Sequence, residues 1–485
     1  MSELHQQAIN YVYLQVLQKL QCHYSHRQRL ALEQLIPRII LAAGGPGRLG
    51  EYRIMVAHNG GRESAQAVAF LRAAQLSLTV RCGQTFLLRI VTCRQETLTE
   101  PTAGNVRRLY AALFVEDDPR VETLLADDHQ VSPFDLPEVG MEPLSAVRRM
   151  NLLMAGQITG GDVRATFCHL DHQRYANALQ RGLHWGGAVN ALVRLESPRQ
   201  RHQYQLWSRQ VARRAQSLAQ QREVDDPLLQ SFCALRAGLG QGARPPRTVK
   251  SLALDDLMDE ILDTPCMPLL EFLGFRLTDL GAVIGQADLA HPLLLAHIAG
   301  LRSEALTLLD YRDGIEHYLN LSSPLLRQRK LPQELLRAAL AGYATKATLT
   351  AHRKRANALL TTRYGLGEKQ LVCMLFAPFV DQGAGLARYL RHCHHSMPRA
   401  LPYMHSALAG ETVPMPVQQW LTESSGLPLK RLRELYRMAR VHVDDDQGLL
   451  ANSPHWPLNS RGVRGLHPVT GLPALSPAGR RERES

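Results

Sequence analysis

Apolar residues recur at helical spacing from the start of the chain. Tyr11, Leu14, Leu17 and Leu20 fall three apart, and Leu30, Leu32, Leu35, Ile39 and Ile40 make a second stripe. Residues 4–43 are therefore expected as two helices, the second stopped by Gly44-Gly45-Pro46-Gly47. The period then changes. Residues 53–57 read as a short strand closed by Asn59-Gly60-Gly61, and 63–74 as a helix. Residues 76–80 and 85–91 read as strands rich in branched side chains, and 106–114 as a helix. From about 143 onward helix dominates, including a long, polar, basic stretch at 199–223. The expected fold class is mainly α with a small N-terminal α/β unit. The expected divisions are a helical hairpin at 1–50, the α/β unit at 51–140, a helical part at 141–237, a Gly/Pro linker at 238–250, a helical region at 251–445 and a disordered basic tail at 446–485.

One pattern recurs four times in the second half. It is Leu, four residues, Gly, Leu or Phe, four residues, Leu, two residues and an apolar residue. The copies run Leu269, Gly274, Phe275, Leu280, Val283; Leu295, Gly300, Leu301, Leu306, Leu309; Leu360, Gly365, Leu366, Leu371, Met374; and Leu421, Gly426, Leu427, Leu432, Leu435. Glycine tolerates the positive φ at which a helix can reverse, the next apolar residue re-enters the core, and the later pair faces it from a second helix. This is the spacing of a helix-turn-helix hairpin. It is also that of Leu-rich hairpins with no role in DNA binding.

Charge separates the copies. The second helix of the first copy is nearly neutral, and that of the second carries Glu304, Asp310, Asp313 and Glu316, which phosphate repels. In the third copy the helix before the glycine is basic, with Lys346, His352, Arg353, Lys354 and Arg355. In the fourth the second helix carries Lys430, Arg431, Arg433, Arg437 and Arg440, the charge a recognition helix needs. Lys430, Arg431 and Arg433 are expected to meet base edges or phosphates, and Arg437 and Arg440 the backbone. An i, i+4 pair of Lys430 with Glu434 is the competing use of that lysine. Arg353, Lys354 and Arg355 are expected to add phosphate contacts without sequence specificity.

Composition agrees with an anionic partner. The 485 residues carry a formal net charge of +12, and 49 of the 56 basic residues are arginine, whose planar fork suits phosphate. A GC-rich genome produces the same bias. Hydrophobic residues make up 45% of the chain, enough to bury real cores and to exclude disorder throughout. The eight cysteines are scattered with no Cys-x-x-Cys, which fits a reducing cytoplasm better than a disulfide framework. No stretch approaches the length of an apolar membrane span, and no signal-peptide core stands at the N-terminus.

The stretch Ser425-Gly426-Leu427-Pro428-Leu429-Lys430-Arg431-Leu432-Arg433-Glu434-Leu435-Tyr436 resembles the helix-turn-helix subunit of the flagellar master transcription regulator, over some 25 residues. That family's cysteine zinc site has no counterpart, so zinc is not implied. The repeated Leu-Gly-Phe/Leu hairpins also resemble those of replication-associated proteins of integrative conjugative elements and pathogenicity islands. That likeness implies a role in maintaining or replicating a bacterial mobile island.

Other chemistry is set aside. Cys168-His169-Leu170-Asp171-His172 and His392-Cys393-His394-His395 pack possible ligands closely but lack paired zinc spacing, so no metal is expected. Gly45 to Gly50 lacks the Lys-Ser/Thr of a phosphate loop, and no cofactor is expected. The acidic runs 116–118 and 444–446 sit at element ends. The leading expectation is a DNA-binding accessory protein of replication or transcription control, not an enzyme. Its partners would be double-stranded DNA, further copies of the chain as a homo-oligomer, and the replication or transcription machinery, with no membrane. The alternatives are a helical interaction scaffold, and an enzyme using His58, Asn59 and Arg62 at the end of the first strand.

Overall fold

The computed structural model of the protein describes residues 3–94, 100–127, 130–135, 146–160, 166–167, 178–179, 181–194, 250–253, 257, 267–276, 292–328 and 341–440. The chain is mainly α-helical with a small α/β unit. The first two helices form where the apolar stripes place them, α1 at Glu3–His23 and α2 at His26–Ala43. Ser25 opens α2 with a capping box. Its Oγ accepts from the Gln28 amide at 3.2 Å, and Gln28 Oε1 accepts from the Ser25 amide at 3.0 Å. Gly44 closes the helix at φ +88°, where a Cβ would be strained.

A βαβαβ unit follows: β1 (Arg53–His58), α3 (Arg62–Cys82), β2 (Leu87–Cys93), α4 (Glu100–Leu113) and β3 (Val121–Ala126). β4 (Val131–Pro133) lies antiparallel on β3. After α5 (Ala146–Ile158), β5 (Ala191–Arg194) and β6 (Lys250–Ala253) complete the sheet on the other side of β1. The order is β4-β3-β2-β1-β5-β6, and every pair but β3–β4 is parallel. The order reverses at β1, which makes the sheet doubly wound.

Four expectations change here. Residues 76–80 are not a strand but the end of α3, which runs to Cys82 and stops at Gly83, φ +71°. Leu76, Leu78 and Val80 alternate with Ser77 and Thr79 and so imitate a strand. The alternation misleads because α3 is buried on nearly every side from Arg62 to Leu78, which leaves no polar face to mark its period. The α/β unit also extends past residue 140, because β5 and β6 join its sheet. Lys250, placed in a linker, opens β6, while the rest of 238–250, the basic stretch 199–223 and the tail 446–485 lie outside the described residues. Nor is the hairpin at 1–50 a separate unit. Leu17, Leu20, Leu32, Leu35 and Ile39 share one core with Val68, Phe70, Ile54 and Ile90.

The later helices are α6 (Met267–Phe272), α7 (Pro292–Arg302), α8 (Tyr311–Gln328), α9 (Lys346–Leu359), α10 (Glu368–Phe376), α11 (Leu386–Cys393), α12 (Leu401–Ala409), α13 (Met415–Ser425) and α14 (Leu429–Tyr436). α6 docks on the α/β unit, where Arg108 Nε donates to the Gly274 carbonyl at 2.6 Å and Asn105 brackets the Arg276 backbone. A second core gathers α5 with α7 and α10 to α14, through residues such as Leu153, Leu301, Met374, Tyr389, Leu408 and Leu432.

The glycine pattern marks real turns in three of its four copies. Gly274, Gly365 and Gly426 adopt φ +64°, +63° and +72°. The second copy departs: Gly300 lies inside α7, and the chain continues through a π-helical turn, Ser303–Thr307, before reversing at Leu308. Glycine is needed at 300 for closeness rather than for turning, since a Cβ there would run into the Tyr311 ring.

Candidate nucleic-acid interface

The α13–turn–α14 hairpin is built as its sequence implies. Gly410 ends α12, Pro414 and Pro416 start α13, Gly426 reverses the chain and Pro428 precedes α14. Ser425 Oγ donates to the Leu421 carbonyl at 2.7 Å and accepts from the Leu427 amide at 3.1 Å, which fixes the turn. Leu421, Leu427, Leu432, Leu435 and Met438 are buried. The turn is seated tightly, because a Cβ on Gly426 would lie 2.7 Å from Gln370 Nε2 and 3.1 Å from Leu153 Cδ1.

The basic side chains of α14 and of the four residues that follow it divide into two groups. Lys430 and Arg437 are exposed, seven residues apart and so on one face. The others are engaged within the fold. Arg431 pairs with Glu434 at 2.6 Å, so the glutamate goes to Arg431 rather than to Lys430. Arg433 Nε donates to the Ala407 carbonyl at 3.0 Å, in the last turn of α12 where the helix dipole favours a cation. Arg440 donates from Nη2 to the Phe376 and Ala377 carbonyls at 3.3 and 3.4 Å, and from its amide to Asp381 at 2.8 Å. Half-buried Trp420 packs edge-on against His394, with ring centroids 5.0 Å apart, rather than entering the core fully.

The basic cluster on α9 divides in the same way. Lys354 and Arg355 are exposed. Arg353 pairs with Glu368 and with Glu304 (3.0 Å), and stands over the Tyr311 ring at 4.9 Å. Next to it is fully buried His297. Its Nδ1 shares a hydrogen bond with Tyr311 Oη at 2.7 Å, and its Nε2 one with Asn357 Oδ1 at 3.2 Å.

Burial depresses the His297 pKa to about 4, and burial likewise takes His58, at the end of β1, down to about 3. Both are neutral in the folded chain. In the unfolded chain they bind protons near pH 6.5, so the unfolded state gains protons first as pH falls. Stability is then lost from about pH 6.5 downward, by about 1.4 kcal/mol per pH unit for each histidine. Melting temperature followed from pH 7 to 4.5 should show this slope, and His297→Gln should flatten it. An unchanged slope in that variant would exclude His297 as a source.

The residues proposed for an enzyme reading do come together. His58 Nδ1 lies 2.9 Å from Ser64 Oγ, which donates to Asn59 Oδ1 at 2.7 Å, and Arg62 is buried beside them. Ser64 was not legible from the sequence, because only the first turn of α3 brings it back to the strand end. The pair resembles a nucleophile and its base. However, both are buried, and a histidine held at about 3 is a poor proton acceptor near neutrality. The hydrogen bonds are those of a closed turn.

Among the described residues no group of three or more His, Cys, Asp or Glu side chains is placed to hold a metal. His394 instead meets Tyr389 Oη at 3.2 Å, and Cys168 to His172 lie outside the described residues. No described helix is long and apolar enough to cross a membrane. Compared with known proteins, the chain matches no protein-family model, no curated protein and no solved structure.

Proposed function

We propose that this protein is a DNA-binding accessory protein of replication or transcription control, and that it contacts duplex DNA through α14. The observation that carries the reading is the α13–Gly426–α14 hairpin, whose outer face presents Lys430 and Arg437 to solvent while Leu432 and Leu435 hold it to the core. The net charge of +12 supplies the long-range attraction to phosphate. Lys354 and Arg355 extend the exposed basic surface. A regular solenoid scaffold is disfavoured, because the second copy does not turn at its glycine and the copies are spaced 26, 65 and 61 residues apart.

The test is duplex binding across a salt series. Lys430→Ala with Arg437→Ala should lower affinity about tenfold or more near physiological salt and reduce the salt slope by roughly 1.8, because two phosphates are no longer neutralised. Arg433→Ala should chiefly lower the melting temperature, since its guanidinium is bound to α12. A folded double variant that binds like the wild type removes α14 from the interface.

A further inference from the structure

Charge is unevenly distributed in the helical region. Residues 341–410 hold nine lysines and arginines but only two acids, Glu368 and Asp381. Both acids are engaged, Glu368 by Arg353 and Asp381 by the Arg440 amide at 2.8 Å. The stretch 382–410, which forms α11, α12 and the corner between them, contains no acid. The next one, Glu411, lies beyond the far end of α12, roughly 14 Å along the helix.

The spacing in α11 decides where that charge goes. Leu386, Tyr389 and Leu390 are buried, so Arg388 and Arg391, three apart, lie on the opposite, exposed side. Arg388 is anchored. Its Nη2 donates to the Leu306 carbonyl at 3.1 Å, and its guanidinium stands 5.9 Å from the centre of the Phe376 ring. Arg391 is held only within its own helix, where Nε donates to the Ala387 carbonyl at 3.3 Å. Arg399, in the short turn Pro398–Ala400, is exposed. Among the described residues neither Arg391 nor Arg399 has an acidic partner.

The corner that carries these two arginines is rigid. The His394, Met397 and Ala400 amides donate in succession to the Leu390, His394 and Met397 carbonyls, each at 2.9 Å. The His394 ring meets Tyr389 Oη at 3.2 Å and packs edge-on against Trp420 of α13. α12 then lies against α14, through Arg433 on the Ala407 carbonyl and through His405 Nδ1 and Tyr436 Oη, 3.0 Å apart. Corner and hairpin are therefore one packed unit. In a helix-turn-helix the second helix enters the major groove and the first crosses the phosphate backbone. The first helix here is α13, and Trp420 brings the corner against it.

We infer that the α11–α12 corner is a second contact surface for duplex DNA, with Arg391 and Arg399 neutralising backbone phosphates beside α13. The inference rests on the duplex reading above and extends it from one helix to two patches. Contacts of this kind fix register and affinity without reading sequence. Duplex is favoured over an acidic protein because a protein interface needs an apolar centre. The exposed residues of the corner are His395, Ser396, Pro398 and Arg399.

The experiment is a salt series on the full chain with a random-sequence duplex. Arg391→Ala with Arg399→Ala should weaken binding about tenfold near physiological salt and reduce the salt slope by roughly 1.8. The loss should be equal on duplexes of different sequence. Arg391→Lys with Arg399→Lys keeps both charges and should keep the slope. All four side chains are on the surface, so melting temperatures should stay at the wild-type value. Combined with Lys430→Ala and Arg437→Ala, the two alanines should lower the slope by roughly 3.6, since the patches act independently. If the α14 variant loses affinity while the folded corner variant binds as the wild type does, the corner is excluded and the α14 reading stands. The reverse result keeps the corner and removes α14. A wild type that binds no duplex at low salt ends both. An unchanged salt slope in the corner alanine variant, or binding of polyglutamate in place of duplex, would also overturn the inference.

Discussion

Asp118→Asn should lower the unfolding free energy by about 3–5 kcal/mol. Asp118 Oδ2 accepts from Arg72 Nη1 at 2.7 Å and from Arg120 Nη2 at 2.8 Å, while Oδ1 accepts from the Arg120 amide and Nε at 2.9 Å. Arg72 is fully buried and also donates to Gln75 and to the Leu113 and Phe114 carbonyls. The Tyr13 ring lies over both guanidiniums, 5.2 Å from Arg72 and 4.7 Å from Arg120. Burial alone would raise the Asp118 pKa, but the hydrogen bonds and charges of Arg120 and Arg72 more than offset it and hold the carboxyl at about 2. Asparagine keeps the shape and removes the charge, leaving Arg72 as a buried cation without its anion. Urea unfolding followed by circular dichroism measures the loss. The exposed Arg81–Glu33 pair is the control, and Glu33→Gln should cost less than about 1 kcal/mol. A loss as small as that in Asp118→Asn would mean that Gln75 and the carbonyls suffice for Arg72.

The second large effect is Gly314→Ala. Its Cβ would run into the Ala299 carbonyl oxygen and stand 2.7 Å from Ser303 Cβ, so α7 and α8 must separate. Unlike a flexible side chain, that carbonyl belongs to a helix and cannot swing aside. Separation loosens the small core of Ala296, Ala299, Ile315 and Tyr318. We expect a loss of about 3 kcal/mol, the upper end of overpacking in a core. Gly47→Ala, with nothing within 4 Å of its Cβ, should cost far less. Equal melting temperatures for the two variants would show that α7 and α8 adjust without cost.

The helical stripes, the glycine turns and the first strand were legible because each rests on local rules of period and backbone freedom. The sheet was only half legible. β5 joins β1 from far along the chain and β6 then joins β5, and no local pattern announces partners at that distance. α3 was cut short because a helix buried on all sides loses its period. Lys430 and Arg437 were legible as charges, but the engagement of Arg433 and Arg440 by main-chain carbonyls was not. Those acceptors come from α12 and from the end of α10, which sequence spacing does not bring near.

The doubly wound sheet also dictates an order of events during synthesis. The Arg53 amide donates to Asn190 Oδ1 at 2.8 Å, across 137 residues of sequence. On the ribosome, β1, β2 and β3 can pair as soon as they emerge, but one edge of β1 must wait for β5. At about 5–20 residues per second that wait lasts roughly 7–27 s. Throughout it, a short, largely apolar strand presents unpaired backbone groups along its open side. The nascent chain is therefore most exposed to mispairing with its neighbours while its midsection is being made. A synonymous slow-down of translation between β4 and β5 should lower the soluble yield more than the same slow-down placed after β6.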